Sequence, residues 1–74
     1  MNDVRYYQDH DHRELIVRVW HDEKGVFHGE YWCLGKSDKW SEADKLARMV
    51  ADEIYEHHPL SYSDVEKLIK DSQG

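Results

Sequence analysis

Residues 14–34 read ELIVRVWHDEKGVFHGEYWCL, and this stretch decides the fold. Its first eight residues are rich in β-branched and aromatic side chains, which favour a strand. Val26 to Leu34 predicts the antiparallel partner strand. Between the two strands, Gly25 can supply the positive φ that a type I turn with a G1 bulge requires. The sequence therefore predicts a β-hairpin.

Two registers of this hairpin compete, and a slip of one residue exchanges the faces of a strand. The slipped register sets Val17 against Glu30 and Val19 against His28. The other register sets Trp20 against His28 and collects the apolar side chains on one face, namely Leu15, Val17, Val19, Phe27, Tyr31 and Cys33. We predict this second register. It leaves the opposite face to Ile16, Arg18, Trp20, His28, Glu30 and Trp32.

A third strand is predicted upstream of the hairpin. Residues Val4 to Gln8 alternate weakly between polar and apolar side chains, as a half-buried strand does. The polar run from Asp9 to His12 would then form the loop that connects this strand to the hairpin.

A long helix is predicted to begin at Ser41. The run Ser41-Glu42-Ala43-Asp44 resembles a capping box. Pro59 disfavours helical geometry in the residue before it, so we expect the helix to end near His57 and His58. One apolar stripe follows helical spacing and should pack on the Val17 face of the sheet: Ala43, Leu46, Ala47, Val50, Ile54 and His57.

A shorter second helix should follow, with Ser61 and Asp64 as its capping pair and Leu60 packing against Val65. Val65, Leu68 and Ile69 would form its apolar edge. We therefore predict one domain over residues 1–74, of the α+β class and the order β-β-β-α-α. Its small three-stranded antiparallel sheet would be covered on one face by a long helix and a short C-terminal helix.

The composition of the chain restricts the kinds of molecule that it can bind. The chain carries ten Lys and Arg against sixteen Asp and Glu, a formal charge of −6 over 74 residues. This charge disfavours binding to phosphate backbones, because nucleic-acid affinity comes largely from Lys and Arg contacts that release counterions. Hydrophobic residues make up 39% of the chain, which is too many for a disordered acidic tail. We therefore expect a folded protein whose electrostatic partners are basic surfaces.

Cysteine content and targeting signals also narrow the possibilities. Cys33 is the only cysteine, so no intrachain disulfide and no multi-cysteine zinc site can form. Its aromatic and apolar neighbours favour a small buried hydrophobe. The longest apolar stretch without a charge, Leu15 to Val17, is far too short to span a bilayer, and residues 1–5 lack the pattern of a secretory signal. We expect a cytoplasmic protein, located in the host cytoplasm if a phage encodes it.

Catalytic and metal-binding patterns are weak. The sequence contains no Gly-rich phosphate loop, no His-Glu-x-x-His pair and no Gly-x-Ser-x-Gly elbow. Cys33 with His28 or His21 could form a nucleophile and base, but the predicted register points His28 and Cys33 to opposite faces. Residues 9–12 (Asp-His-Asp-His) and the pair at 57–58 offer metal ligands, yet neighbouring histidines on one short loop rarely converge. We predict no enzyme, no metal and no cofactor.

The sheet face opposite the helices is the predicted partner-binding surface. Trp20, Trp32 and Arg18 are of the types enriched at binding hot spots, and Glu30 lies beside them. Acidic residues of the first helix, Glu42, Asp52, Glu53 and Glu56, could add contacts to a basic partner. Two alternatives stay open. The N-terminal strand, Trp40, the C-terminal helix or a second copy could cover the tryptophans, and the acidic residues could form an ordinary solvated helix face.

Two resemblances bear on function. Residues 29–35 (GEYWCLG) and 41–47 (SEADKLA) resemble the strand-turn-helix passage of three-stranded-sheet DNA-binding domains such as the integrase arm-binding type. Those domains have basic sheet residues that enter the major groove, whereas here Arg18 is the only base on the outer face and Glu30 stands opposite it. The resemblance implies a small DNA-binding or regulatory domain, which is the alternative function.

By size, charge, exposed aromatic residues and absence of catalytic motifs, the chain also resembles the small acidic inhibitors made by phages, which include anti-CRISPR proteins and DNA mimics. This resemblance implies a non-enzymatic protein-binding module that occupies the basic, nucleic-acid-binding surface of a host complex. Its partner would be a protein rather than nucleic acid or a membrane. A homodimer of structural role is the third possibility.

Overall fold

The computed structural model describes residues 3–52 and 57–73. In these ranges the chain forms β1 (Arg5–Asp9), β2 (Leu15–His21), β3 (Phe27–Cys33), β4 (Ser41–Glu42), α1 (Asp44–Ala51), β5 (His57–Leu60) and α2 (Tyr62–Gln73). The strands make one antiparallel sheet in the order β4-β3-β2-β1-β5. The α+β class is confirmed, but the prediction of a three-stranded sheet is wrong, because β4 and β5 extend it to five strands.

The central hairpin has the predicted register. Trp20 lies opposite His28, Arg18 opposite Glu30 and Val17 opposite Tyr31. Gly25 has a φ of +78°, its N–H donates to Asp22 O over 2.9 Å, and Asp22 N–H donates to Val26 O over 3.0 Å. These two bonds close the type I turn with its bulge.

The predicted third strand is confirmed as β1, which pairs with β2. The loop after it is held by the carboxylate of Asp9, whose Oδ1 accepts the N–H groups of Asp11 and His12 over 2.9 and 3.2 Å. This is the turn that Asp side chains commonly form with the backbone two residues on.

We call the sheet face that packs against α1 the inner face. Its buried core consists of Val17, Val19, Ala47 and Val50. Gly29 allows the helix to come this close, because a Cβ at that position would lie far inside van der Waals contact with Ala47 Cβ. The absence of a side chain on β3 therefore sets the distance between helix and sheet.

The predicted first helix is wrong at both ends. Ser41 and Glu42 extend the sheet edge as β4, and α1 begins at Asp44. The Asp44 carboxylate does not cap the helix through Ser41; its Oδ1 accepts the N–H of Gly29 over 2.8 Å. Ala43 N–H donates to Gly29 O over 3.0 Å, so the strand pairing continues up to the first turn of the helix.

The helix ends at Ala51, since Asp52 adopts an extended conformation with ψ of 142°. The predicted stripe residue Ile54 and the acidic residues Glu53 and Glu56 lie outside the described residues. His57 belongs to strand β5 rather than to the helix. Pro59 is compatible with this strand because β5 lies at an edge of the sheet.

The second helix has the predicted cap and an unpredicted position. Ser61 Oγ accepts the N–H of Asp64, and Asp64 Oδ2 accepts the N–H of Ser61, each over 3.1 Å. At twelve residues α2 is longer than α1, which has eight. Its first residue, Tyr62, packs on Tyr6, which lies beside Arg18 on the sheet face opposite α1.

We call that opposite face the outer face. Ile16 on the outer face and Val65 in α2 are 0% and 2% exposed, although neither belongs to the core beneath α1. The prediction that helices cover a single face is therefore wrong. Neither helix in residues 3–52 and 57–73 has the length and apolarity needed to cross a bilayer.

Candidate functional site

One row of side chains crosses the outer face. The register aligns Tyr6 with Arg18, Arg18 with Glu30, and Glu30 with Glu42. Directly opposed residues of antiparallel strands point to the same side of a sheet, so these four side chains are neighbours. The row puts one cation between an aromatic ring and two carboxylates.

Arg18 is held from several directions. Its Nε donates to Glu30 Oε1 over 2.8 Å, and its Nη2 lies 2.5 Å from the same oxygen. The guanidinium carbon is 4.3 Å from the ring centroid of Trp40 and 5.8 Å from that of Trp20. The side chains of Arg18 and Glu30 are 28% and 24% exposed. This is a partly desolvated ion pair beneath an indole ring, rather than a mobile surface pair.

Trp32 lies beneath Trp40 and is largely hidden. It is 7% exposed, and the centroids of the two indoles are 5.6 Å apart at an interplanar angle of 64°. Its buried Nε1 has no hydrogen-bond acceptor among the described residues. A tilted contact of this kind can direct an N–H towards the neighbouring π face. In this arrangement Trp32 supports Trp40 and does not present its own ring to a partner.

Trp40 covers part of the outer face, which was one of the alternatives left open by the sequence, but it was not among the predicted partner-binding residues. It contacts Arg18, Trp32 and Tyr6, with its centroid 6.2 Å from that of Tyr6. It belongs to a connecting segment between β3 and β4, where the period-two pattern that assigned the other aromatic residues does not apply. Its neighbours in sequence, including Lys39 and Ser41, are polar, and this isolated indole in a polar loop was the available signal.

Trp20 remains half-buried, and a fixed ring supports it from one side. Its indole stacks on His28 with centroids 5.5 Å apart and an interplanar angle of 20°. His28 Nε2 lies 2.9 Å from Asp22 Oδ2. This hydrogen bond raises the pKa of His28 above its ordinary value of 6.5 and lowers the pKa of Asp22 below 3.8.

The turn holds that support in place. Asp22 Oδ1 accepts the N–H groups of Lys24 and Val26 over 2.8 and 2.9 Å, so the same carboxylate fixes the turn and the imidazole. Trp20 is therefore held in a fixed orientation while its side chain stays half-buried.

Comparison of the chain with protein-family models, curated proteins and solved structures finds no match.

The structure unites some of the predicted partner-binding residues and separates others. Arg18, Trp20, Glu30 and Glu42 lie together on the outer face. Trp32 lies on the same face but is buried. Asp52 is exposed at the end of α1 remote from Glu42, and Glu53 and Glu56 fall outside the described residues.

Carboxylates meet where β3 and β4 pair. Glu42 is exposed and lies directly opposite Glu30. Like charges in this position destabilise an antiparallel pair, at a cost within the roughly 0.2–1 kcal/mol range of cross-strand effects. Arg18 forms its ion pair with Glu30, and no ion pair to Glu42 occurs within residues 3–52 and 57–73. Glu42 is thus an exposed carboxylate at the edge of an aromatic surface, and its charge adds, after the hydrogen bond to Asp22, to the raised pKa of His28.

The nucleophile and base considered from the sequence do not meet. His28 shares the outer face with Trp20, whereas Cys33 lies an odd number of residues away on β3 and opposite Leu15. Cys33 is half-buried, and its N–H donates to Ser37 Oγ over 3.0 Å. These two side chains therefore provide no catalytic pair.

Proposed function

We propose that this chain is a non-enzymatic, acidic protein-binding module. It uses the outer face to dock on the basic, nucleic-acid-binding surface of a host complex, in the manner of the small phage inhibitors that include anti-CRISPR proteins. It would act in the cytoplasm of that host. Trp20 supplies the apolar contact, and Glu42 with Glu30 supplies the carboxylates that meet Lys or Arg side chains of the partner.

The observation that carries this proposal is the pair of facing carboxylates. Glu42 is exposed beside Glu30, and of these two carboxylates only Glu30 has an ion pair within the described residues. A guanidinium or ammonium from a partner would relieve the repulsion between the two carboxylates. The favourable electrostatic energy of such a contact exists only in the complex and not in the free chain.

An aromatic residue shares the outer face with these carboxylates. Trp20 is half-buried, stacked on His28, and held in place by the turn at Asp22. A rigid indole loses little conformational freedom on binding, which is one reason why Trp is common at binding hot spots. The net charge of −6 would in addition speed encounter with a basic surface.

The alternative of DNA binding finds less support in these contacts. The three-stranded sheet that the DNA-binding resemblance implied is replaced by five strands, and Arg18, the base at the centre of the outer face, is bound to Glu30. A side chain engaged in this way is a poor donor to phosphate or to a base edge.

The test is affinity capture with matched charge variants. The immobilised chain is exposed to lysate from cells that carry its gene, and the retained proteins are identified and then titrated in purified form. Glu42→Gln should weaken binding, and low salt should enlarge the difference. The control is Glu23→Gln, which removes the same charge from the exposed turn between β2 and β3.

A second measurement addresses the basic site itself. Duplex DNA or RNA should displace the chain from the captured partner if both occupy one surface. Equal affinities of the Glu42→Gln and Glu23→Gln variants would contradict the role of the outer face. A gel shift of nucleic acid by the chain alone at low salt would favour the DNA-binding alternative. Light scattering at the mass of a dimer would favour the homodimer.

A further inference from the structure

Two histidines distant in sequence meet at one end of the sheet. His10 follows β1 in the connecting loop, and His58 lies in β5. His10 Nδ1 and His58 Nε2 are 3.0 Å apart, with ring centroids separated by 5.2 Å and an interplanar angle of 41°. The two ring nitrogens face each other across a single hydrogen bond.

The sheet register explains this meeting. His58 lies opposite Gln8, and His10 is two residues beyond Gln8 along the chain. Residues two apart in an extended chain point to the same side, so His10 becomes a diagonal neighbour of His58. The structure thus unites one histidine from each of the two His-containing segments that the sequence shows at 9–12 and 57–58.

The distance between the nitrogens suits a chelate. Two imidazole nitrogens bound to one metal ion at 2.0–2.1 Å, with an angle between square-planar and tetrahedral values, are about 2.8–3.4 Å apart. The observed 3.0 Å lies within that range. Small tilts of the two rings would turn their lone pairs from each other towards a common point, without a change in the backbone.

We propose that His10 and His58 form a two-histidine site for an imidazole-preferring divalent transition-metal ion, with water in the other coordination positions. Imidazole suits Zn²⁺, Ni²⁺ and Cu²⁺, whereas Mg²⁺ and Ca²⁺ prefer oxygen. His10 is exposed and His58 half-buried, so an ion can enter from solvent. Within residues 3–52 and 57–73 no three His, Cys, Asp or Glu side chains are grouped to hold a metal, which makes this an exchangeable site.

The proton balance of the binding step is simple. In the neutral pair, one of the two facing nitrogens carries the hydrogen of their bond, and the other accepts it. Metal binding needs both facing nitrogens free of hydrogen. The ring that donated therefore moves its proton to its remote nitrogen through water, and no proton is released overall. The ion then links β5 to the loop after β1.

The test is a Ni²⁺ titration of the untagged chain near neutral pH. Calorimetry measures the binding, and the melting temperature is recorded at each Ni²⁺ concentration. Wild type should bind one ion and melt at a higher temperature as Ni²⁺ increases, because the folded state alone brings the two ligands together. His10→Ala and His58→Ala should each weaken binding on the order of a hundredfold, since the second ligand no longer acts intramolecularly.

The matched control is His12→Ala, which removes an exposed imidazole from the same loop and should leave the affinity unchanged. An equal loss in His12→Ala, or binding that survives His58→Ala, would overturn the proposal. Nitrogen-15 NMR of the wild-type imidazoles with Zn²⁺ avoids any folding defect of the variants. It should show metal at Nδ1 of His10 and at Nε2 of His58, and shifts at the other two nitrogens would equally overturn it.

Discussion

The two faces of the sheet are built from the same strands and differ in nearly every other respect. The inner face carries aliphatic side chains that α1 seals, with Gly29 allowing close contact. The outer face carries indoles, an ion pair and an imidazole, and Trp40 and Tyr62 cover part of it. The difference shows how a small domain can separate functions. One side supplies stability by burial, and the other keeps polar and aromatic groups partly exposed at the surface where we propose that a partner binds.

Removing Trp32 should be the most disruptive change. Trp32→Ala deletes a side chain that is 7% exposed and supports Trp40, and Trp-to-Ala changes in buried positions cost about 3–5 kcal/mol of unfolding free energy. Trp20→Ala should cost clearly less, because that side chain is only half-buried. Chemical denaturation of both variants measures the difference. Similar small losses would mean that the outer face contributes little to stability.

Adding a methyl group to the inner face should have the next largest effect. Gly29→Ala places a Cβ in collision with Ala47, and such overpacking costs about 1–3 kcal/mol. The double variant with Ala47→Gly should recover part of the loss, although glycine in a helix itself costs about 1 kcal/mol. Thermal or urea unfolding gives the double-mutant cycle. A Gly29→Ala protein as stable as wild type would show that α1 does not rest on β3 as described.

The smallest expected effect concerns the hydrogen bond between His28 and Asp22. The raised pKa of His28 stabilises the fold fully below its ordinary pKa of 6.5, and this contribution disappears as pH rises through the folded value. The lowered pKa of Asp22 stabilises the fold above 3.8, and this contribution disappears as pH falls through the folded value. The pair therefore contributes most between these two ordinary pKa values.

Asp22→Asn tests this pH window while keeping a side-chain oxygen for the turn. Its loss of stability should be larger between pH 3.8 and 6.5 than in mildly alkaline solution, and proton NMR should show a lower pKa for His28. An unchanged His28 pKa in the variant would mean that Asp22 does not hold the imidazole on the outer face.

The sequence was sufficient for the hairpin because each of its features has a local cause. Alternation in residues 15–21 assigned the faces, and Gly25 assigned the turn. The cap formed by Ser61 and Asp64 could be predicted for the same reason, since its bonds join residues three apart.

The remaining elements depend on contacts between distant segments. In a run that resembles a helix cap, Ser41 and Glu42 form an edge strand because β3 pairs with them, and the Asp44 carboxylate accepts the N–H of Gly29. The segment around Pro59 became a strand because β1 was available beside it. For the candidate site, period-two alternation placed Arg18, Trp20 and Glu30 correctly. It could not show that Trp40, from outside the strands, would lie over Arg18 and Trp32.

The lengths of the two outermost strands have a consequence for how copies of this chain behave together. β4 has two residues and β5 has four, one of them proline. Long rows of unpaired peptide groups at a sheet margin are templates for fibril growth, and short or proline-containing margins interrupt that growth. At high concentration, copies of the folded chain should therefore have little tendency to polymerise by pairing strand edge to strand edge.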